Sequence, residues 1–226
     1  MQIVNLNGIQ PSIVDYNTSF VFKLHHLREI WLFNCIQGCQ HELAQKKIKI
    51  SQISKVIITK LNIENISGLL GLLSSMSLIN RNKRLHIYSP RGLQQYIKLC
   101  KRYSQTNFKY NLYFHTLKTG LVINHDLYNV YAFTSSIQFD FLIISQEKFG
   151  KFKPLKAERF NLVTGPLYGK LKKGNDLLLP DGFIINNDKF TYFNNQGKKV
   201  SFIYNKYNQR NTVEIIKQSQ VLQHLL

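Results

Sequence analysis

Short runs of β-branched and aromatic residues alternate with stretches of helical spacing through the first half of the chain. Met1-Gln2-Ile3-Val4-Asn5-Leu6-Asn7-Gly8 reads as a strand and turn, and Ile30-Trp31-Leu32-Phe33 as an apolar run that stops at a turn, after which Cys39 to Ala44 opens a helix. Lys55-Val56-Ile57-Ile58-Thr59 is a second strand-forming run. Its successor is a helix beginning near Ser67, with Leu69, Leu70, Leu72, Leu73 and Met76 on the apolar side. Leu85-His86-Ile87-Tyr88 predicts another strand, and Ser89-Pro90-Arg91-Gly92 leads into a helix over Leu93 to Tyr103, where Leu93, Tyr96, Ile97 and Cys100 recur at helical spacing. This alternation predicts an α/β layered fold.

From Tyr110 the pattern shifts to strands in succession, over Asn111 to Thr116, Leu121 to Ile123, Val130 to Phe133 and Phe139 to Ile144. Glu147 to Asp188 is different again. It carries Lys148, Lys151, Lys153 and Lys156, then Gly165-Pro166-Leu167-Tyr168-Gly169-Lys170-Leu171-Lys172-Lys173-Gly174, whose glycines and proline oppose regular structure. An exposed basic arm is expected there. Lys199 to Tyr204 returns to strand, and Thr212 to Gln220 has the Val213, Ile216 spacing of a helix. With no internal repeat and no clean boundary, residues 1–226 read as a single domain with an arm over 147–188.

A chain of 226 residues that is 44% hydrophobic can bury a full core. Thirty Lys and Arg against twelve Asp and Glu give a formal charge of +18, enough to attract a polyanion and release its counterions. Nucleic acid is therefore the leading partner, although coding bias toward A and T also enriches Lys, Asn and Ile. The three cysteines, Cys35, Cys39 and Cys100, lack paired spacing, which argues against a disulfide framework and for a reducing compartment. Cys35-x3-Cys39-x-His41 brings soft ligands together but lacks the second pair of a structural zinc site, so it reads as packing. Of the seven histidines, only His25 and His26 are adjacent, and none forms a His-x-His; those two are expected near a surface turn. No leader pattern opens the chain, and the most apolar stretch, Ile66 to Ile79, is broken by Ser and Gly and too short to span a bilayer, so a soluble protein without membrane contact is expected.

Longer stretches resemble one family. Glu29-Ile30-Trp31-Leu32-Phe33-Asn34-Cys35, Gln40-His41, Ile53 to Thr59, Gly68 to Ser75 and Ile87-Tyr88-Ser89-Pro90-Arg91-Gly92 are similar to ribonuclease Z, the tRNA 3′-processing endonuclease of the metallo-β-lactamase superfamily. Gly165 to Gly174, followed by Leu179-Pro180-Asp181-Gly182, matches that family's Gly-Pro-Leu-x-Gly-x-Leu-x-x-Gly arm, the most specific of these signals. The resemblance implies a metallo-β-lactamase-like αβ/βα sandwich, two zinc ions that activate water and clamp the scissile phosphate, a homodimer, and tRNA or precursor tRNA as partner.

The ligand positions depart from the pattern. Where the family carries Thr-His-x-His-x-Asp-His, this chain has Thr59-Lys60-Leu61-Asn62-Ile63-Glu64-Asn65. A later family histidine falls near Ser135 or Ser136, the bridging aspartate falls at Asn205, and the final histidine lies in a C-terminal segment beyond what this chain matches. Ammonium offers no lone pair and an amide oxygen is a poor substitute for imidazole, so no metal cofactor is expected. The resemblance therefore implies a related protein whose zinc-dependent cleavage is lost and whose tRNA binding is retained, through Gly165, Pro166, Lys170, Lys172 and Lys173.

Two rivals remain at this level. Glu64 stands at the general-base position with Lys60 beside it, so an unconventional tRNA 3′ endonuclease is conceivable, although a buried Glu64–Lys60 ion pair is the simpler expectation. The other rival is a non-catalytic protein-interaction scaffold in which the arm lysines only keep a Gly-rich loop soluble. Tyr168 is either a stacking contact or a local hydrophobic anchor. Composition suggests a plastid location, with the cytoplasm as the alternative.

Overall fold

The computed structural model describes residues 2–6, 19–24, 28–135, 138–147, 150–160, 162, 164–179, 182–192, 197–203, 214, 217 and 220–223. Strands β1 (Gln2–Asn5), β2 (Phe20–Leu24) and β3 (Glu29–Phe33) run antiparallel. From β3 onward the pairing is parallel, to β4 (Ile53–Ile57), β5 (Leu85–Ser89) and β6 (Leu112–Thr116), completing a six-stranded sheet in chain order. Parallel neighbours cannot be joined by a tight turn, so each step takes a helical crossover. These are α1 (Cys39–Gln45), then α2 (Ile63–Ile66) with α3 (Leu69–Leu78), then α4 (Leu93–Tyr103).

The strands β7 (Gly120–His125), β8 (Tyr128–Ser135) and β9 (Gln138–Ser145) form an antiparallel meander. After them come α5 (Pro154–Arg159), α6 (Pro166–Lys172) and a two-stranded ladder of β10 (Leu177–Leu178) with β11 (Ile184–Ile185). The last strands, β12 (Lys199–Ile203) and β13 (Gln220–Gln223), join the meander, giving a second sheet in the order β13-β12-β9-β8-β7.

Side chains alternate across a strand, and the two faces of the first sheet feed two cores. Leu32, Val56, Leu85 and Ile87 pack with Leu43, Leu69, Leu72, Leu73, Met76, Leu93 and Ile97 from the crossover helices. Trp31, Phe33, Ile57 and Tyr88 point the other way, against Tyr128, Val130, Phe141, Ile143 and Phe202 of the second sheet. Aromatic rings tie that interface. Phe20 stacks at 4.5 Å on Phe33 and 4.6 Å on Phe202, and Trp31 meets Tyr128 edge-on at 4.9 Å. Helix on sheet is the α/β layering the pattern predicts, and the two facing sheets are the sandwich the resemblance implies.

The structure also corrects the pattern. On α4 the buried residues are Leu93 and Ile97, while Tyr96 turns outward at 39% exposure, a narrower stripe than the spacing implies. The expected C-terminal helix falls mostly outside the described residues, as do Tyr204, His25 and His26; Glu214 is helical, but Gln220 already belongs to β13. The largest correction is the arm, which is folded, with Ala157, Leu162, Leu171, Leu177, Ile185 and Phe190 forming a small core of their own. Among the described residues no helix is long and apolar enough to cross a membrane.

Candidate functional site

The loop at which the resemblance places the metal ligands begins where β4 ends. Ile58 donates its N–H to the Tyr88 carbonyl at 2.8 Å, continuing the sheet by one bond. Thr59 is buried, and both its N–H (3.0 Å) and its hydroxyl (3.1 Å) donate to Oδ1 of Asn34. Asn34 occupies the left-handed region at φ 52°, which asparagine tolerates better than most residues, and its carbonyl accepts from Ser19 Oγ at 2.9 Å. Ser19, Asn34 and Thr59 are all buried and satisfy one another. Asn34 is therefore an anchor of the loop. Its position just past an apolar strand is the only sequence signal that points to it.

Asn62 is extended and caps α2, its Oδ1 accepting from the Asn65 N–H at 3.2 Å while its Nδ2 donates to Glu64 Oε2 at 3.0 Å. Asn65 faces inward at 3% exposure, donating from Nδ2 to the Lys60 carbonyl at 3.4 Å; its backbone carbonyl accepts the Cys35 N–H at 2.8 Å. Gly68 completes the fastening. A Cβ there would lie 2.0 Å from the Ile36 carbonyl oxygen, so the residue must be glycine for the chain to pass, and its N–H donates to the Cys35 carbonyl at 2.9 Å.

Glu64 corrects the expectation of a buried pair with Lys60. It lies at the second position of a four-residue helix whose inward position is Asn65, and it is exposed. Among the described residues the ion pairs are Glu42–Lys46 and Glu29–Lys55, neither of which involves Lys60 or Glu64. Lys60, Asn62, Glu64 and Asn65 are brought together, and the β8–β9 hairpin sits against them because Phe139 donates its N–H to the Thr59 carbonyl at 3.1 Å. Ser135 ends β8, whereas Ser136 and Asn205 lie outside the described residues.

This donor set does not fit zinc. It offers one ammonium, one amide already used as a helix cap, one buried amide whose Oδ1 lacks a partner, and one exposed carboxylate tied to Asn62. Tetrahedral zinc takes imidazole, thiolate and carboxylate donors, and among the described residues no three His, Cys, Asp or Glu side chains cluster. The Cys35 and Cys39 sulfurs lie 3.1 Å apart in the core while His41 is exposed, so that motif does not converge as a ligand set.

The charged pair that is half-buried belongs to another place. Glu29 Oε2 accepts from Lys55 Nζ at 2.8 Å, Trp31 Nε1 at 3.1 Å and Ser54 Oγ at 3.2 Å, and Lys55 lies over the Trp31 ring at 4.8 Å. Burial works to raise the Glu29 carboxyl, but these hydrogen bonds and the Lys55 charge outweigh it and hold the group below its ordinary value. Burial pushes the neighbouring Tyr128 phenol far up.

In the arm, the glycine and proline motif spells a helix with both ends marked. Pro166 occupies the first helical position, where its missing N–H costs nothing. Gly174 takes φ 88° just past the end, its N–H bonding to Leu171 O and the Asn175 N–H to Lys170 O, both at 3.1 Å, which is a Schellman stop. Leu171 is buried, and Lys170, Lys172 and Lys173 are exposed in and after the last turn. Tyr168 is an anchor, its hydroxyl donating to Leu162 O at 3.0 Å and its ring 4.9 Å from Phe152. Around Gly165 and Gly169 there is open space, leaving bare backbone at the surface.

No family model matches the chain. Individual relatives do. Ribonuclease Z of Acaryochloris marina is 34% identical over 210 residues, covering 92% of this chain and 67% of the relative. Uncharacterized protein ycf56 of Pyropia yezoensis is 38% identical over 187 residues, covering 81% of this chain and 71% of the relative. Among solved structures, the short form of human tRNase Z superposes with a TM-score of 0.55 at 25% identity, covering 64% of this chain and 65% of that one. A long-form RNase Z from yeast shares the fold, with a TM-score of 0.53 at 15% identity over 66% of this chain and 28% of that one. The sandwich is thus of the metallo-β-lactamase type found in tRNase Z. Sequence likeness across nine-tenths of its length and the shared fold together place this chain in the ribonuclease Z family.

Proposed function

We propose that this protein binds tRNA or precursor tRNA through its basic arm and has lost the zinc-dependent cleavage of its family. The observation that carries the reading is that the arm is folded with its lysines exposed, while the loop at the expected ligand positions is held by amide and hydroxyl hydrogen bonds. Lys170, Lys172 and Lys173 lie within four residues on one small rigid helix and its cap, with bare backbone at Gly165 and Gly169 and the ring of Pro166 nearby. Such a surface suits phosphate contacts made by charge and shape. The formal charge of +18 supplies long-range attraction.

Residues 1–226 act as one ribonuclease Z-like unit on this reading, with the arm over 147–188, and pair as a homodimer. A plastid location is part of the proposal. Its support is the Asn-, Lys- and Ile-rich composition and the ycf56 designation of relatives in Pyropia yezoensis and Porphyra purpurea.

The test is filter binding of a 3′-extended precursor tRNA across a salt series, for the wild type and for a Lys170→Gln, Lys172→Gln, Lys173→Gln variant. Binding that weakens steeply with salt, and less steeply in the variant, is expected. Weak, salt-insensitive binding by both proteins would favour the protein-interaction scaffold instead. Turnover abolished by Glu64→Gln would favour an unconventional endonuclease, in which Glu64 would have to act from an exposed position.

A further inference from the structure

Two thiols in the first core serve neither the arm nor the ligand loop directly. Cys35 follows β3, and Cys39 is the first residue of α1, where a turn closed by the Cys39 N–H on the Ile36 carbonyl at 3.2 Å brings the chain back on itself. Their sulfurs are 3.1 Å apart and both residues are fully buried. A disulfide needs about 2.05 Å, so roughly 1 Å of travel separates the pair from bonding distance. We propose that Cys35 and Cys39 are a peroxide-sensitive pair that closes to a reversible intramolecular disulfide, with Cys39 as the attacking sulfur and Cys35 as the resolving one.

The two sulfurs sit in unlike surroundings, which supports this division of roles. Either sulfur can donate the hydrogen bond between them; that contact and the Gln40 backbone draw the Cys39 thiol down against the opposing effect of burial. Burial first, then the Cys39 sulfur, drives Cys35 well up, so its proton stays on. The Cys39 sulfur attacks one oxygen of a hydroperoxide ROOH; the O–O bond breaks, ROH leaves, and Cys39 becomes a sulfenic acid. The Cys35 sulfur then attacks the Cys39 sulfur, the S–O bond breaks, and water leaves with the Cys35 proton. Two electrons pass from the sulfurs to the peroxide, so two thiols and ROOH give one disulfide, ROH and water.

Cys35 is also the residue on which the ligand loop hangs. Its N–H donates to the Asn65 carbonyl and its carbonyl accepts the Gly68 N–H, so drawing its side chain toward α1 tightens the strap across residues 59–68. Cys100 is a natural control, half-exposed on α4.

The experiment treats the native full-length chain with hydrogen peroxide, alkylates the remaining thiols and maps the peptides by mass. The peptide holding Cys35 and Cys39 is expected to lose two hydrogens and resist alkylation until dithiothreitol restores it. A Cys35→Ser variant is expected to stop at a Cys39 sulfenic acid that dimedone traps, and Cys39→Ser to give no adduct at Cys35. Should either variant fail to fold, the wild-type map decides alone. Both thiols remaining alkylatable while Cys100 oxidises would overturn the proposal, as would a disulfide that forms only in urea. Amide exchange at Gly68 is expected to slow in the oxidised protein, and unchanged exchange would overturn the coupling to the loop.

Discussion

The ligand loop and the arm meet the family pattern in opposite ways. In the loop, Thr59 on Asn34, the Asn62 cap and Gly68 against Ile36 shape the backbone, although Asn62 itself stands where the resemblance puts a histidine, and the side chains at the expected ligand positions are of another kind. In the arm, the spelling that resembles the family also makes sense of the fold, from Pro166 at the helix start to Gly174 at its stop, with the lysines between and beside them exposed. The difference teaches where each region's form comes from: in the loop a helix cap, a buried asparagine and a close backbone crossing, in the arm a helix with marked ends over its own small core.

The comparison breaks most severely at Gly68. Gly68→Val forces a side chain into the Ile36 carbonyl, and a loss of about 3 kcal/mol or more is expected, read as a lower urea midpoint. Leu171→Ala empties the centre of the arm core and is expected to cost about 2–5 kcal/mol, seen as protease cleavage within the arm ahead of the sheets. Neutralising Lys170, Lys172 and Lys173 together leaves stability within about 0.5 kcal/mol and flattens the salt dependence of tRNA binding by about three units of slope.

Acid sharpens the contrast between two carboxylates. Glu29 is held below its ordinary value, so its contribution is present above the carboxylate range and is lost as pH falls through the ordinary value of 4.5 and below. Wild-type unfolding measured from pH 6 to pH 3 is expected to show that loss, and a Glu29→Gln variant to show less of it. Glu64→Gln is the smallest change. With the side chain exposed and hydrogen-bonded to Asn62, stability is expected to move by less than about 0.5 kcal/mol.

Much of the fold is legible along the chain because β4 and β5 are β-branched or apolar runs and α4 carries a clear helical spacing, so strand and helix are seen to alternate. The arm was harder, for a definite reason. Proline and glycine read as breakers in mid-segment, yet Pro166 and Pro154 sit at helical starts and Gly174 at a helical stop, where they promote the element they seem to oppose. Helix α2 has no periodicity at all, being a single turn set by the Asn62 cap. That turn also explains the mistaken Lys60–Glu64 pair: four residues apart would face one another on one helix, but Lys60 precedes the cap and lies outside it. Asn34 has only its place after an apolar strand to mark it in the sequence, because its partner Thr59 is twenty-five residues away.

The most direct measurement incubates the purified protein with a 3′-extended precursor tRNA, with and without zinc or manganese, beside the Glu64→Gln variant, and follows both complex and product. Retained complex with uncleaved RNA under every metal condition is the predicted result. Metal-stimulated cleavage after the discriminator nucleotide, absent in the variant, would contradict it.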